Sequence, residues 1–355
     1  MLKVFIFAHM DKKYTIKDIA QMAGVSKGTV DRVLHNRGKV SPAALEKINE
    51  VLNVIDYEPN LIARNLKSTK VYRICVLLPD PAFDPYWLPC VNGIQDAITE
   101  FKAYNVIIEI HYFNPESTKS FLKTNETIIA QSPDAVLLTP LFHKETVEII
   151  KRYDELEIMV NTFNNQVESS SIKSFVGQDL YKSGRVAASL MNLILPKGQI
   201  AIIHIDESLK NAVHMQEKER GFRSYFEEKN LPDFSLITLK LKYSNIETKF
   251  AAFVDEHPDL SGIFITTSKA YQIASSLSNF EDKKIALIGY DLIEKNVSFL
   301  NQGLVHFLIH QNQKRQAYLG VSTLADHFLF RKDIPETILL PIDIINVENA
   351  SFYVS

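Results

Sequence analysis

Between Ser26 and Leu34 the chain places Lys27, Gly28, Thr29 and Arg32 among Val30, Val33 and Leu34, which are apolar at helical spacing. A guanidinium presents a fork of donors that matches guanine O6 and N7, so Arg32 on a helix face has the geometry of a base reader. The alternative for Arg32 is a surface arginine on a phosphate. Lys27 suits a base edge or a phosphate equally, and Thr29 suits a phosphate. Gly28 has no side chain and leaves only bare backbone at its place on the helix. A second group lies in Asp80 to Trp87, where Phe83, Asp84, Tyr86 and the only tryptophan share one loop after an apolar run. Aromatic faces beside carboxylate or amide groups are what a sugar pocket requires, with core packing as the alternative for each ring. Catalytic spacings do not occur: there is no Gly-x-x-x-x-Gly-Lys, His-Glu-x-x-His, Gly-x-Ser-x-Gly or Cys-x-x-Cys. The expectation is a binding protein rather than an enzyme, calling for no metal and no cofactor.

Elements must hold these residues in place. Thr15 can cap a helix that gathers Ile16, Ile19 and Ala20 on one face, Gly24 breaks the pattern, and Ser26 caps its restart. Two short helices with a glycine turn and cations on the second form a helix-turn-helix, which reads duplex DNA in the major groove. Ser41-Pro42 opens a third helix, with Leu45, Ile48, Val51 and Leu52 as its expected buried stripe. Tyr57-Glu58-Pro59 ends it, residues 60–67 are helix-prone with little apolar surface, and residues 68–70 read as a linker. Beyond that, apolar strands such as 74–78, 135–138, 200–205 and 285–289 alternate with amphipathic helices such as 89–101, 180–195 and 216–229. Continuous apolar strands imply burial on both faces, hence parallel sheets in an α/β body.

With 355 residues, 46% hydrophobic and 23% charged, the chain suits two or three globular domains. The net charge of -3 is unevenly placed. Residues 11–70 hold 11 Lys/Arg against 7 Asp/Glu, a local +4, whereas residues 71–355 carry -8. A basic head on an acidic body confines nucleic-acid affinity to the head. Cys75 and Cys90 both lie in apolar runs, cannot build a disulfide framework or a zinc site by themselves, and read as buried free thiols of a reducing cytoplasm. Residues 1–12 read as a disordered N-terminal extension or as the product of an upstream start, with Met10 the first residue. Their apolar stretch is too short to span a bilayer, so no membrane is expected.

Three blocks carry a resemblance. Thr15-Ile16-Lys17-Asp18-Ile19-Ala20, Val25-Ser26-x-x-Thr29-Val30-x-Arg32-Val33-Leu34 and Tyr57-x-Pro59-Asn60-x-x-Ala63-Arg64-x-Leu66-Lys67 resemble the LacI/purine repressor family of transcriptional regulators. In the body, Phe175-Val176-Gly177-Gln178-Asp179, Arg220-Gly221-Phe222, Ile288-Gly289-Tyr290-Asp291 and Leu308-Ile309-His310-Gln311 resemble its periplasmic-binding-protein-like, sugar-binding effector domain. The resemblance implies a multi-domain chain, an all-α helix-turn-helix head (13–59), a hinge helix and linker (60–70), and a body (71–355) of two doubly wound α/β lobes. The lobes would take residues near 71–172 with 303–331, the one next to the head, and 173–302 with 332–355. DNA-facing residues would be Thr15, Ser26, Lys27, Gly28, Thr29, Arg32, Tyr57, Asn60, Ala63, Leu66 and Lys67, with Leu66 wedging between base steps of the minor groove. Asp31 and His35 depart from the family's phosphate-contacting Ser and its Asn. Effector residues would be Phe83, Tyr86, Trp87, Asn164, Asn165, Gln216, Lys218, Thr267, Asp291 and Gln311, with Asp291 the first choice. The implied function is a homodimeric cytoplasmic repressor whose binding to a palindromic DNA operator is controlled by a small sugar or sugar derivative. The alternative is a sugar-binding sensor with weakened or lost DNA binding.

Overall fold

Gly24, at φ +64°, turns the chain between the first two helices in a left-handed conformation that a side chain would resist. The computed structural model describes residues 14–34, 38–55, 70–205, 213–280 and 282–353. His35, Tyr57, Asn60, Ala63, Leu66, Lys67 and the N-terminal extension lie outside them. The chain divides into two compact units near residue 64.

The head is built on α1 (Ile16–Ala23), α2 (Lys27–Leu34) and α3 (Pro42–Val54). Thr15 and Asp18 cap α1 reciprocally: Thr15 Oγ1 accepts from Asp18 N at 3.3 Å, and Thr15 N donates to Asp18 Oδ2 at 2.9 Å. Ser26 Oγ accepts from Thr29 N at 3.1 Å, and Ser41 caps α3 ahead of Pro42. Ile19, Ala20, Ala23, Val30 and Ile48 make a small sealed core. Leu45, expected in the buried stripe of α3, is instead 42% exposed, because a third short helix needs only a narrow strip against so small a core.

The body contains two six-stranded sheets. The first has the order β11-β5-β4-β3-β1-β2 and is all parallel, with β1 Tyr72–Pro79, β2 Val106–Phe113, β3 Ala135–Leu138, β4 Met159–Phe163, β5 Ile172–Gly177 and β11 Thr337–Leu339. The second has the order β12-β10-β9-β8-β6-β7, with β6 Gly198–Ile205, β7 Phe234–Leu241, β8 Leu260–Ile265, β9 Ala286–Tyr290, β10 Phe307–His310 and β12 Asp343–Ile345. Only β12 runs antiparallel to its neighbour. Helices cover both faces of each sheet, so each lobe has two apolar cores. Inner strands such as β3 and β9 are buried at every position, while the edge strands β2 and β7 are buried only at intervals.

The lobe boundaries differ from expectation. Residues 173–177 belong to the first sheet as β5, residues 307–310 to the second as β10, and β11 to the first. The chain therefore crosses between lobes at 178–179, 311–312 and 340–342, immediately after a strand has made its last ladder bonds. A single side chain ties the crossings together: Gln178 Nε2 donates to His310 O at 3.2 Å and to Pro341 O at 2.8 Å. The helix after the second crossing, Gln313–Phe330, packs on the first sheet, opposite in lobe to the strand before it. No described helix is long and apolar enough to cross a membrane.

Candidate functional site

On the head, α2 turns Val30 inward and leaves Lys27, Gly28 and Arg32 exposed. Thr29 is half-buried, with its hydroxyl 2.9 Å from Ser26 Oγ. A Cβ built on Gly28 would meet nothing nearer than Ser26 Oγ at 3.8 Å, so the fold of the head does not require glycine there. The exposed face of α2 thus presents two cations and a bare stretch of backbone, as a helix entering a major groove requires.

In the body the notable side chains come from the carboxyl ends of strands, where ligands bind in open α/β sheets. Asp291 follows β9 and Gln311 follows β10. Gln311 Nε2 donates to Asp291 Oδ2 at 2.9 Å and Oδ1 at 3.2 Å, and its backbone N–H reaches Oδ1 at 3.4 Å. Asp291 is 1% exposed and sits at φ +68°, a costly backbone for a non-glycine residue. Asn296 pins that turn by donating to the carbonyls of Tyr290 at 2.9 Å, Asp291 at 3.0 Å and Ser268 at 2.8 Å. Gln316 Nε2 in turn holds Gln311 O at 2.7 Å.

Lys218, on the helix Val213–Glu228, supplies the buried cation. Its Nζ donates to Thr266 O at 3.0 Å and lies 3.7 Å from the centroid of the Tyr290 ring. The Lys218 helix and the preceding one, Leu180–Ile194, approach so closely that a Cβ on Gly184 would sit 2.0 Å from Lys218 O, and one on Gly221 1.9 Å from Tyr181 O. Only glycine permits that contact. Behind Lys218, His204 bridges Thr266 Oγ1 at 2.8 Å and Glu219 Oε2 at 2.7 Å. Burial alone would raise the Glu219 carboxyl, but hydrogen bonds from His204, Thr238 and Arg223 outweigh it and hold the group down to about 2.

Burial pushes the Asp291 carboxyl up to about 6, opposed by the Lys218 charge and by hydrogen bonds from Gln311 and Gln313. Its field reaches the other lobe: after burial itself, Asp291 is the next cause raising the Tyr86 phenol and the Cys90 thiol. Tyr86 accepts a hydrogen bond from Asn164 Nδ2, and Asn164 is itself left-handed at φ +71° after β4. Asp291, Gln311, Lys218, Tyr86 and Asn164 therefore converge on one interlobe region. Thr267 is also buried there beyond β8, with a hydroxyl that finds no partner among the described residues.

Other expected residues are placed differently. Phe83 is 55% exposed, and Trp87 packs into the core of the first lobe, edge-on to Tyr86 at 4.8 Å. Gln216 is exposed one half-turn from Lys218, so the helix period gives the buried position to the lysine, and Asn165 is half-buried. Asn296, Gln313, Gln316 and Gln178 are absent from the sequence-based set; isolated polar residues in helices and loops carry no signal that they will be buried. Two clefts of about 510 and 480 Å³ open on the second lobe, and neither is lined by any of these groups. Chemistry rather than volume marks the site.

A helix-turn-helix head joined to a two-lobed body with a polar interlobe site defines a ligand-gated DNA-binding regulator. The body, residues 74–332, matches the periplasmic binding protein domain family, and residues 15–60 match the bacterial regulatory proteins of the lacI family. The chain belongs to the LacI family. It is similar to the ribose operon repressor of Halalkalibacterium halodurans, 24% identical across 78% of this chain and 80% of that one. The sucrose operon repressor of Streptococcus mutans is 25% identical across 94% and 98%. A solved structure from Bacteroides fragilis, assigned to the LacI transcriptional regulators, superposes with a TM-score of 0.75 at 31% identity, covering 80% of this chain and all of that one. The chain is a DNA-binding transcriptional regulator and not an enzyme.

Proposed function

We propose that the protein is a homodimeric, cytoplasmic repressor that holds a palindromic operator and releases it when a sugar or sugar derivative enters the interlobe site. The observation that carries this reading is Asp291, a buried carboxylate in a strained backbone, clamped by Gln311 and facing Lys218. Burying a carboxylate and holding it in a left-handed turn both cost free energy, and an arrangement that maintains both is suited to accepting hydrogen bonds from sugar hydroxyls. The Lys218 charge is already faced by Asp291, which favours an effector without a strong net charge. Thr267 and Asn164 add further polar partners, and Tyr86 offers ring surface for a C–H face. The ribose and sucrose operon repressors among its relatives support the sugar class. Two-fold symmetry of a homodimer matches a palindrome.

In the head, Arg32 reads a base and Lys27 contacts a base or phosphate, with Thr15, Ser26, Thr29 and Tyr57 at the backbone. Asn60, Ala63, Leu66 and Lys67 serve the hinge. A second reading, a sensor with weakened DNA binding, draws on Asp31, a carboxylate on the recognition helix. The experiment is a thermal-shift screen of sugars, sugar acids and polyols on wild type and Asp291→Ala, followed by gel shift on a CG-centred palindrome with each hit. A ligand that stabilises wild type alone and releases the palindrome is expected. A ligand stabilising both proteins equally would remove Asp291 from the site, and failure to retain DNA at low salt would favour the sensor.

A further inference from the structure

The first lobe carries a cluster that effector binding does not use. Glu109 and His111 are two residues apart on β2, so their side chains leave the same face of the sheet. The β1–β2 register sets Cys75 opposite Glu109 and Leu77 opposite His111. The donor atoms of Cys75, Glu109 and His111 all lie within 4.8 Å of one another, the one such trio of His, Cys, Asp and Glu among the described residues. Cys75 is fully buried with its Sγ 3.5 Å from Gln131 Oε1. His111 Nε2 is closed off from solvent and has no hydrogen-bond partner, a costly state for a ring nitrogen. Arg73 Nη1 pairs with Glu109 Oε2 at 2.5 Å, which leaves the second carboxylate oxygen for another partner.

We propose that Cys75, Glu109 and His111 form a binding site for a divalent transition metal, with Zn(II) the best-matched ion. One sulfur, one imidazole nitrogen and one carboxylate oxygen make a borderline-soft donor set; Mg(II) and Ca(II) prefer oxygen alone. Tetrahedral bonds of the usual lengths put ligand atoms about 3.5 Å apart, so this trio closes on an ion by side-chain rotation without moving a strand. On binding, the S–H bond breaks, the thiolate pair forms the S–metal bond and the proton passes to solvent, with no change of metal oxidation state. A fourth position is completed by water or by the Gln131 amide oxygen. The site fastens β2, which pairs with one neighbour only, to β1 in the interior of the same sheet. The metal is an addition to the sequence-based expectation of none: the two cysteines do not suffice, but one cysteine with the Glu-x-His alternation of an adjacent strand does.

The test uses the full-length protein, stripped with a chelator and titrated with Co(II). One equivalent per chain is expected to give a thiolate-to-cobalt charge-transfer absorption and tetrahedral ligand-field bands, both removed by Zn(II). The unfolding midpoint should rise with Zn(II) in the wild type. His111→Gln and Glu109→Gln, at partly exposed positions, should weaken cobalt binding at least tenfold and cancel the rise, while Cys90→Ser leaves both intact. Cys75→Ala should remove the charge-transfer absorption; if that variant does not fold, the two β2 variants decide. No thiolate absorption in the wild type, or unchanged binding in His111→Gln, would overturn the site.

Discussion

Asp291 joins two properties that pull against each other, and its titration exposes the conflict. Its carboxyl is raised to about 6, so between pH 4 and 6 the native state binds a proton that the unfolded chain has already lost. Stability contributed by this group is therefore present below about pH 4 and is lost as pH rises through 6. A displacement of that size corresponds to about 3 kcal/mol. The difference in urea unfolding free energy between wild type and Asp291→Asn is expected to shift by that order between pH 4 and 7, in favour of the variant; a pH-independent difference would mean the carboxylate is fully stabilised when ionised. At Gly28 the conflict is between folding and DNA. A methyl group fits the head, so Gly28→Ala should stabilise the helix by about 1 kcal/mol. Operator affinity should fall if the bare backbone approaches DNA, as gel-shift titration will measure; a head both more stable and equally tight would free this position from DNA recognition.

Among the elements, the crossings between lobes depend most on one side chain. Gln178 bonds the carbonyls of His310 and Pro341, so it touches all three passages of the chain at once. Gln178→Ala takes two hydrogen bonds from carbonyls that are only partly buried, at half-buried His310 and exposed Pro341, and is expected to cost about 1–3 kcal/mol of body stability. Denaturant unfolding of the variant checks this, and a cost near zero would mean that water replaces the amide. Gln178 stood in the sequence within the Phe175-Val176-Gly177-Gln178-Asp179 block, with nothing there to mark it as the tie between crossings. Its role depends on residues 132 and 163 positions away meeting at one point. The strands and helices themselves were legible where burial imposes a period, as at Ala135–Leu138 and Leu180–Ile194. The edge strand Phe234–Leu241 and the helix Gln313–Phe330 were not among the elements read, because one has a half-exposed pattern and the other is lined with buried glutamines that imitate a solvated face.

For the whole molecule, the charge distribution and the head motif already separate a DNA-reading end from a ligand-binding body. That much is local: caps, turns and apolar periodicity act over a few residues, so the sequence by itself determined the helix-turn-helix and the alternating α/β body, while the candidate role of Asp291 and Gln311 followed only from the family resemblance of their motifs. Which lobe each strand joins was decided only by tertiary structure, since a strand such as Phe307–His310 reads the same in either sheet and is assigned by its neighbours in space. The same holds for the residues around the site. Asn296 at the Asp291 turn, Lys218 rather than Gln216 as the buried side chain of its helix, and the meeting of Cys75 with Glu109 and His111 all depend on register and helix phase between distant segments. A linear sequence encodes those relations only through the packing that brings the segments together.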